Sequence, residues 1–240
     1  KWASLVSRNV IVSAFHAPPG IGANITFFET NDPNGNYATR SVTSGQRLGM
    51  SDIWVGVLDS PVPVTYTPFP FATEDINSSG EFQASNLFGA TANLFGRSPS
   101  HNSKYGNDPV TDQAIGENLI DVWVNVGELD EELGDDPSVG AINNIVGEAD
   151  YLTHETLLQS GDSGGPVVVV NAGVPTMVGA NWYTGEVDVA QGPGEDLRFY
   201  SGFSYLGNYD HLVQQIIESH PIPEPSTLAL VGVGSLVVCL

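Results

Sequence analysis

Ser163 sits in the middle of Gly161-Asp162-Ser163-Gly164-Gly165-Pro166, a string that holds most of what acyl transfer by a serine requires. A hydroxyl becomes a useful nucleophile when a base takes its proton and when donors await the developing oxyanion. The flanking glycines permit a backbone tight enough to turn the amides of Gly161 and Ser163 toward one point. Pro166 then opens "PVVVV", apolar enough for a buried strand that anchors the turn. A glycine-rich turn before any buried strand has the same local signature. The chemistry therefore depends on a base, and on a group that orients it.

Five histidines could supply the base. His101 and His154 lie in polar stretches, and His211 and His220 flank a helical segment near the end. His16 alone follows directly on a strand-like run, "NVIVSAF" (Asn9 to Phe15), where a ring is held in place. Asp52 opens a second apolar run, "DIWVGVL", just after Gly49-Met50-Ser51. An Asp in that position usually starts a strand or caps a turn. Beside a serine and a histidine it becomes the group that fixes the imidazole and stabilises the imidazolium.

These residues must be held by β structure. Sixteen prolines and 27 glycines punctuate short apolar runs across 240 residues, which predicts a mostly β chain with many turns. Further strands are expected at "FQASNLFGA", "NLIDVWVNVGEL", "GPVVVV" and "TMVGANWYT". Pro61, Pro63, Pro68 and Pro70 mark an extended connector, because proline is excluded from central strands. Near the end, Tyr209, Leu212, Val213, Ile216 and Ile217 fall on one helical face, with Asn208 or Asp210 available as cap. Seven basic against 28 acidic residues leave a net charge of −21, which argues against nucleic acid or an anionic membrane surface as partner. The single cysteine, Cys239, lies in the apolar tail, so the globular part has neither a disulfide framework nor a cysteine zinc site.

The order His16, Asp52, Ser163 resembles that of the chymotrypsin/trypsin-like serine proteases. "VIVSAFHA" is similar to the family's strand ending in the catalytic His, "SDIWVGVLDSPV" to its Asp-Ile-x-x-x-x-Leu segment, and "GDSGGPVV" matches its nucleophile loop without substitution. "MVGANWYTG" resembles the later strand whose edge binds substrate backbone. The cysteines that usually frame the His and Ser loops are replaced, since Ala17 follows His16 and Gln159 precedes the Ser163 turn.

The resemblance implies an all-β fold of two antiparallel β-barrels with a C-terminal helix. His16 and Asp52 would come from an N-terminal barrel over 1–68, short by a strand or more. Ser163 and the closing helix would belong to a C-terminal barrel over 69–220, and a hydrophobic tail would follow over 221–240. It implies a serine endopeptidase acting on protein or peptide, with His16, Asp52 and Ser163 catalytic and the Gly161 and Ser163 amides as oxyanion hole. Asp162 would be the candidate activation partner of a mature N-terminal amine. Asn181 would lie beside Asp52 and offer backbone groups to substrate. Leu157, Ser160, Trp182 and Tyr183 would complete the substrate pocket. Leu157 stands where trypsin-type enzymes place an Asp, and Tyr183 where many members have Gly. The expected preference is thus a small or medium uncharged side chain before the scissile bond.

No cofactor is implied beyond calcium, for which Asp32-Pro33-Asn34-Gly35 is the candidate loop and at the same time a good turn signal. The tail, Pro223-Glu224-Pro225 followed by "STLALVGVGSLVV", resembles a PEP-CTERM sorting signal. Its apolar run is shorter than the roughly 20 residues of a spanning helix. That resemblance implies a Gram-negative bacterium, export to the cell surface or beyond, anchoring through the tail, and processing by exosortase-type machinery. Two other functions share these residues: a surface binding or matrix protein on an idle protease fold, and an esterase using the same triad.

Overall fold

The computed structural model describes residues 2–30, 35–97, 113–125, 137–144, 158, 160–189 and 196–222. Within them the chain is mostly β, with two curled antiparallel half-barrel sheets and few helices.

The first sheet contains β1 (Ser4–Ser7), β2 (Val10–Ala14), β3 (Asn24–Phe28), β4 (Tyr37–Arg47) and β5 (Ile53–Leu58), in the spatial order β1-β2-β5-β4-β3. Strands β2 and β5 are buried along their whole length and almost entirely apolar because both of their faces are covered. Successive residues of a strand point to opposite faces. Ile11, Trp54 and Leu58 fill the hollow of this sheet with Val42 and Phe27. Val10, Val12, Ile53 and Val55 point the other way, toward Met177 and Ala180 of the second sheet. Each such side chain, fully buried, contributes about 1.5–3 kcal/mol. The seam between the sheets is thus itself a hydrophobic core, and it runs directly beneath the end of β2.

The second sheet runs β7-β6-β10-β11-β12-β9-β8. It contains β6 (Thr91–Arg97), β7 (Gln113–Leu119), β8 (Val122–Asn125), β9 (Pro137–Asn144), β10 (Pro166–Asn171), β11 (Val174–Val189) and β12 (Asp196–Tyr205). Its interior packs Ile76, Phe82, Leu94, Ile120, Val167 and Phe203. The proline-rich connector carries no strand from 61 to 70. Its backbone is paired all the same: the Phe69 N–H donates to the Leu5 carbonyl at 2.9 Å, and the Met177 N–H to the Pro70 carbonyl at 2.8 Å.

Three sequence expectations are corrected. The stretch "FQASNLFGA" is not a strand, since Phe82 lies in the short helix α1 (Ser79–Ala84) and a turn follows. Ser78 accepts from the Glu81 N–H at 3.2 Å, while the Glu81 carboxylate accepts from the Asn77 N–H at 2.7 Å. The Ser-x-x-Glu spacing of a capping box thereby overrides a strand-like composition. "NLIDVWVNVGEL" is broken at Ile120 and Asp121 into the end of β7 and β8. The closing helix is present as α2 (Asp210–Ser219), with Val213 fully buried and Leu212, Ile216 and Ile217 packed on the seam. Its N-cap, however, is Tyr209, without a side-chain cap bond. Asn208 is spent elsewhere, accepting from the Ile76 N–H at 2.7 Å and donating to the Ile76 carbonyl at 2.8 Å. Nearby, the Tyr205 hydroxyl donates to the Glu74 carbonyl at 2.7 Å. Burial pushes its pKa well up, and the negative charges of Glu74, Asp75 and Asp210 add to that. The end of β12 is therefore pinned to the chain that follows the connector.

The candidate calcium loop at 32–34, the tail from 223 onward, and Leu157, Gln159, His101 and His154 lie outside the described residues. Among the described residues no helix is long and apolar enough to cross a membrane.

Candidate active site

Strand β2 ends at Ala14, and the next two residues turn onto the start of β5. The Phe15 N–H donates to the Asp52 carbonyl at 2.7 Å, and the His16 N–H donates to Asp52 Oδ1 at 2.8 Å. His16 Nδ1 lies 2.7 Å from Asp52 Oδ2. The histidine is thus gripped at both backbone and ring by one carboxylate. Asp52 is 3% exposed and the His16 side chain 39%, so the acid is buried and the ring reaches the surface.

The β4–β5 loop explains why Asp52 holds this position. Ser51 is fully buried; its hydroxyl donates to the Leu48 carbonyl at 2.7 Å and accepts from the Ile53 N–H at 3.1 Å. That pair of bonds closes the loop on either side of Asp52 and aims its carboxylate at β2. Phe15 lies under the Arg47 guanidinium, 4.6 Å from ring centroid to Cζ, and Arg47 donates to the carbonyls of Ser51 and Met50. Ser51 was not singled out from the sequence. A serine directly before an Asp at a strand start was the available signal.

On the other side of the seam, His16 Nε2 lies 2.8 Å from Ser163 Oγ. Residues from the two sheets, 147 positions apart, therefore form one line from carboxylate to imidazole to hydroxyl. A carboxylate can only accept, so Nδ1 carries the ring proton and donates to Asp52. Nε2 is then the lone-pair nitrogen, and Ser163 donates to it. This is the protonation pattern of a base waiting for a hydroxyl proton.

The Ser163 turn is built on glycines that no other residue replaces cheaply. Gly161 has φ +104° and Gly164 φ +83°, both in the region that side chains rarely adopt. A Cβ on Gly164 would also collide with Ser13 Oγ and stand 2.9 Å from the Trp2 carbonyl oxygen. Ser13 Oγ donates to that same carbonyl at 2.6 Å, so the turn rests directly on β2 and the segment before β1. The Gly165 N–H donates to the Asp162 carbonyl at 3.0 Å and closes the turn. Among the described residues, the Gly161 and Ser163 amides have no acceptor. They are the two donors that the sequence assigned to the oxyanion.

A cavity of about 160 Å³ opens beside Ser163, lined by Leu158, Ser160, Asp162, Asn181, Trp182 and Tyr183. Four of the substrate-pocket candidates, Ser160, Asn181, Trp182 and Tyr183, come together here. Among the described residues Leu158 lines it as well; its N–H donates to Ser201 Oγ at 2.9 Å, tying this wall to β12. The Trp182 and Tyr183 rings meet edge to face, with centroids 4.9 Å apart. Tyr183 lies so close over Gly202 that a Cβ there would enter its ring. Asp162 is the carboxylate among the described lining residues. It is buried, and its carboxyl packs on Gly96 of β6, where an added Cβ would stand 2.6 Å from Cγ.

Asn181 is bonded to the nucleophile turn through backbone and side chain. Its N–H donates to the Gly165 carbonyl at 2.8 Å, and its carbonyl accepts from the Gly164 N–H at 2.9 Å. Its side-chain Nδ2 donates to the Phe95 carbonyl at 2.8 Å and more weakly to the Asp162 carbonyl at 3.4 Å. The Asn amide is long enough to reach under the turn. Among the described residues, the pairing of β11 with β10 ends at Pro166↔Ala180, and a bulge at Trp182 interrupts its pairing with β12. No protein-family model matches the chain, and a search of curated proteins returns no match.

Proposed function

We propose that the protein is a serine endopeptidase of the trypsin-like, two-barrel type. The observation that carries this reading is the unbroken line Asp52–His16–Ser163, at 2.7 and 2.8 Å, beside two amides that have no acceptor among the described residues. In the first half-reaction Ser163 Oγ bonds to the substrate carbonyl carbon, and its proton passes to His16 Nε2. The carbonyl electron pair moves onto oxygen, which the Gly161 and Ser163 amides receive. The tetrahedral species collapses as the C–N bond breaks, and the leaving amine takes the proton from His16. Water then repeats the sequence on the acyl-enzyme, releasing the acid and restoring Ser163.

The aromatic wall and the withdrawn Asp162 carboxyl favour an uncharged side chain in the cavity. A fluorophosphonate probe tests the nucleophile: Ser163 Oγ displaces fluoride and forms a stable Oγ–P bond, which peptide mapping locates. Label elsewhere, or none, rejects the reading and leaves the idle-fold alternative. A peptide library should show cleavage after small or medium uncharged residues; products dominated by Lys or Arg would reject that pocket assignment.

The Pro-Glu-Pro tail supports export in a Gram-negative bacterium, display at the cell surface and removal by an exosortase-type enzyme. The intact mass of protein from its native host should be short by the tail.

A further inference from the structure

We propose that Asn181 is the positioning residue that sets the oxyanion donor of Ser163. This rests on the hydrolase reading above. The peptide group between Asp162 and Ser163 has its carbonyl on one side and the Ser163 N–H on the other, because a trans peptide points the two in opposite directions. The carbonyl is gripped from beneath, by the Gly165 N–H at 3.0 Å and by Asn181 Nδ2 at 3.4 Å. With its carbonyl held below, the peptide plane cannot rotate without losing both bonds, and the Ser163 N–H stays turned to the opposite side, toward the cavity.

The side chain that provides this grip is itself fixed. Asn181 is fully buried, and its stronger bond, to the Phe95 carbonyl at 2.8 Å, leaves only one orientation for the amide. Turning it over would place Oδ1 against two carbonyl oxygens. The amide also tolerates an unpaired Oδ1 in the interior, a cost that native proteins accept rarely. Gly165 completes the fit, since a Cβ there would press on Asn181 Nδ2 at 2.8 Å and on the Phe95 carbonyl. The backbone of Asn181 grips the same turn through Gly164 and Gly165. One residue of β11 thus holds the turn by three of its groups, the backbone N–H, the carbonyl and Nδ2, and directs the peptide plane by the last.

The test compares wild type with Asn181→Leu, which keeps the volume and removes the donor, by steady-state kinetics on a peptide ester and by thermal unfolding. Deleting an oxyanion donor outright costs about 10²–10³ in kcat, and here the donor remains but loses its fixed direction, so a fall of about 10- to 100-fold is expected. KM should stay within about threefold, because the peptide plane matters only once charge develops on the carbonyl oxygen. Affinity for a peptidyl trifluoromethyl ketone, which forms a hemiketal oxyanion on Ser163, should fall by the same factor as kcat. A merely structural Asn181 would lower the unfolding temperature and leave kcat and the ketone affinity of the folded protein alone, and that result overturns the proposal.

If Asn181→Leu does not fold, Asn181→Ser carries the same expectation, since its hydroxyl is too short to reach either carbonyl. Wild-type kcat in that variant is equally decisive against the proposal. A wild-type chain that neither hydrolyses esters nor takes the fluorophosphonate label removes the hydrolase reading and this proposal with it. That failure is distinguishable, because it appears before any substitution is made.

Discussion

Ser163→Ala should lower peptide or ester turnover by about 10⁴- to 10⁶-fold, with little change in folding. Both halves of that expectation come from the surroundings of the hydroxyl. Its hydrogen-bond partner is His16 Nε2, at an exposed edge of the cleft, so its loss strands no buried polar group. The turn that carries it is held by backbone bonds from Gly164, Gly165 and Asn181, none of which involves Oγ. Alanine fits the same backbone, so the Gly161 and Ser163 amides stay in place. What is lost is the covalent route. The residual rate measures what the amides and binding achieve with water as nucleophile. Steady-state assays beside an unfolding curve check both halves. Full activity in the variant would reject the mechanism.

Asp52→Asn should be almost as damaging, about 10⁴-fold in kcat, for a reason visible in two distances. Asp52 Oδ1 accepts the His16 backbone N–H at 2.8 Å, and Oδ2 faces His16 Nδ1 at 2.7 Å. An asparagine must keep its oxygen toward the backbone N–H, because an amide nitrogen there would oppose a donor with a donor. Its NH₂ is then forced onto Nδ1, which can pair with it only as an acceptor. The ring proton moves to Nε2, and the imidazole presents Ser163 with a donor where a lone pair is needed. Geometry survives and function does not. Ring-nitrogen chemical shifts of His16 would report the exchanged tautomer, while kcat reports its consequence. A variant with near wild-type kcat would mean that Asp52 does not set the tautomer.

Much of the site was legible because each candidate side chain is fixed by its immediate neighbours in sequence. "NVIVSAF" is buried at every β2 position, and apolar at all but Ser13, because its faces serve two cores, and a histidine directly after such a strand cannot wander. "DIWVGVL" behaves in the same way for Asp52. The helical face of Tyr209, Leu212, Val213, Ile216 and Ile217 was equally readable, since its period reflects one packed surface. What could not be read depends on atoms that carry no residue identity. Asn181 is held by the carbonyls of Phe95 and Asp162, and any residues at those positions would offer the same oxygen. The segment "FQASNLFGA" misleads because its aromatic content resembles a strand, while its conformation is decided just upstream by Ser78 and Glu81. Strand β4 is hard to read from the sequence because its exposed Ser, Thr and Gly positions lack an alternating apolar signal.

The seam at Gly164 also fixes when the proposed chemistry can appear in the life of the chain. The first sheet draws all its strands from residues 4–58, so His16 and Asp52 can meet while the remainder is still being synthesised. At that stage the histidine has no hydroxyl to activate, and the nascent polypeptide around it is safe. Ser163 reaches it only when β10 and β11 settle against β2, a contact that Val213 of the last helix completes. Dividing the triad between the two sheets makes the proposed site a property of the assembled seam rather than of either sheet alone.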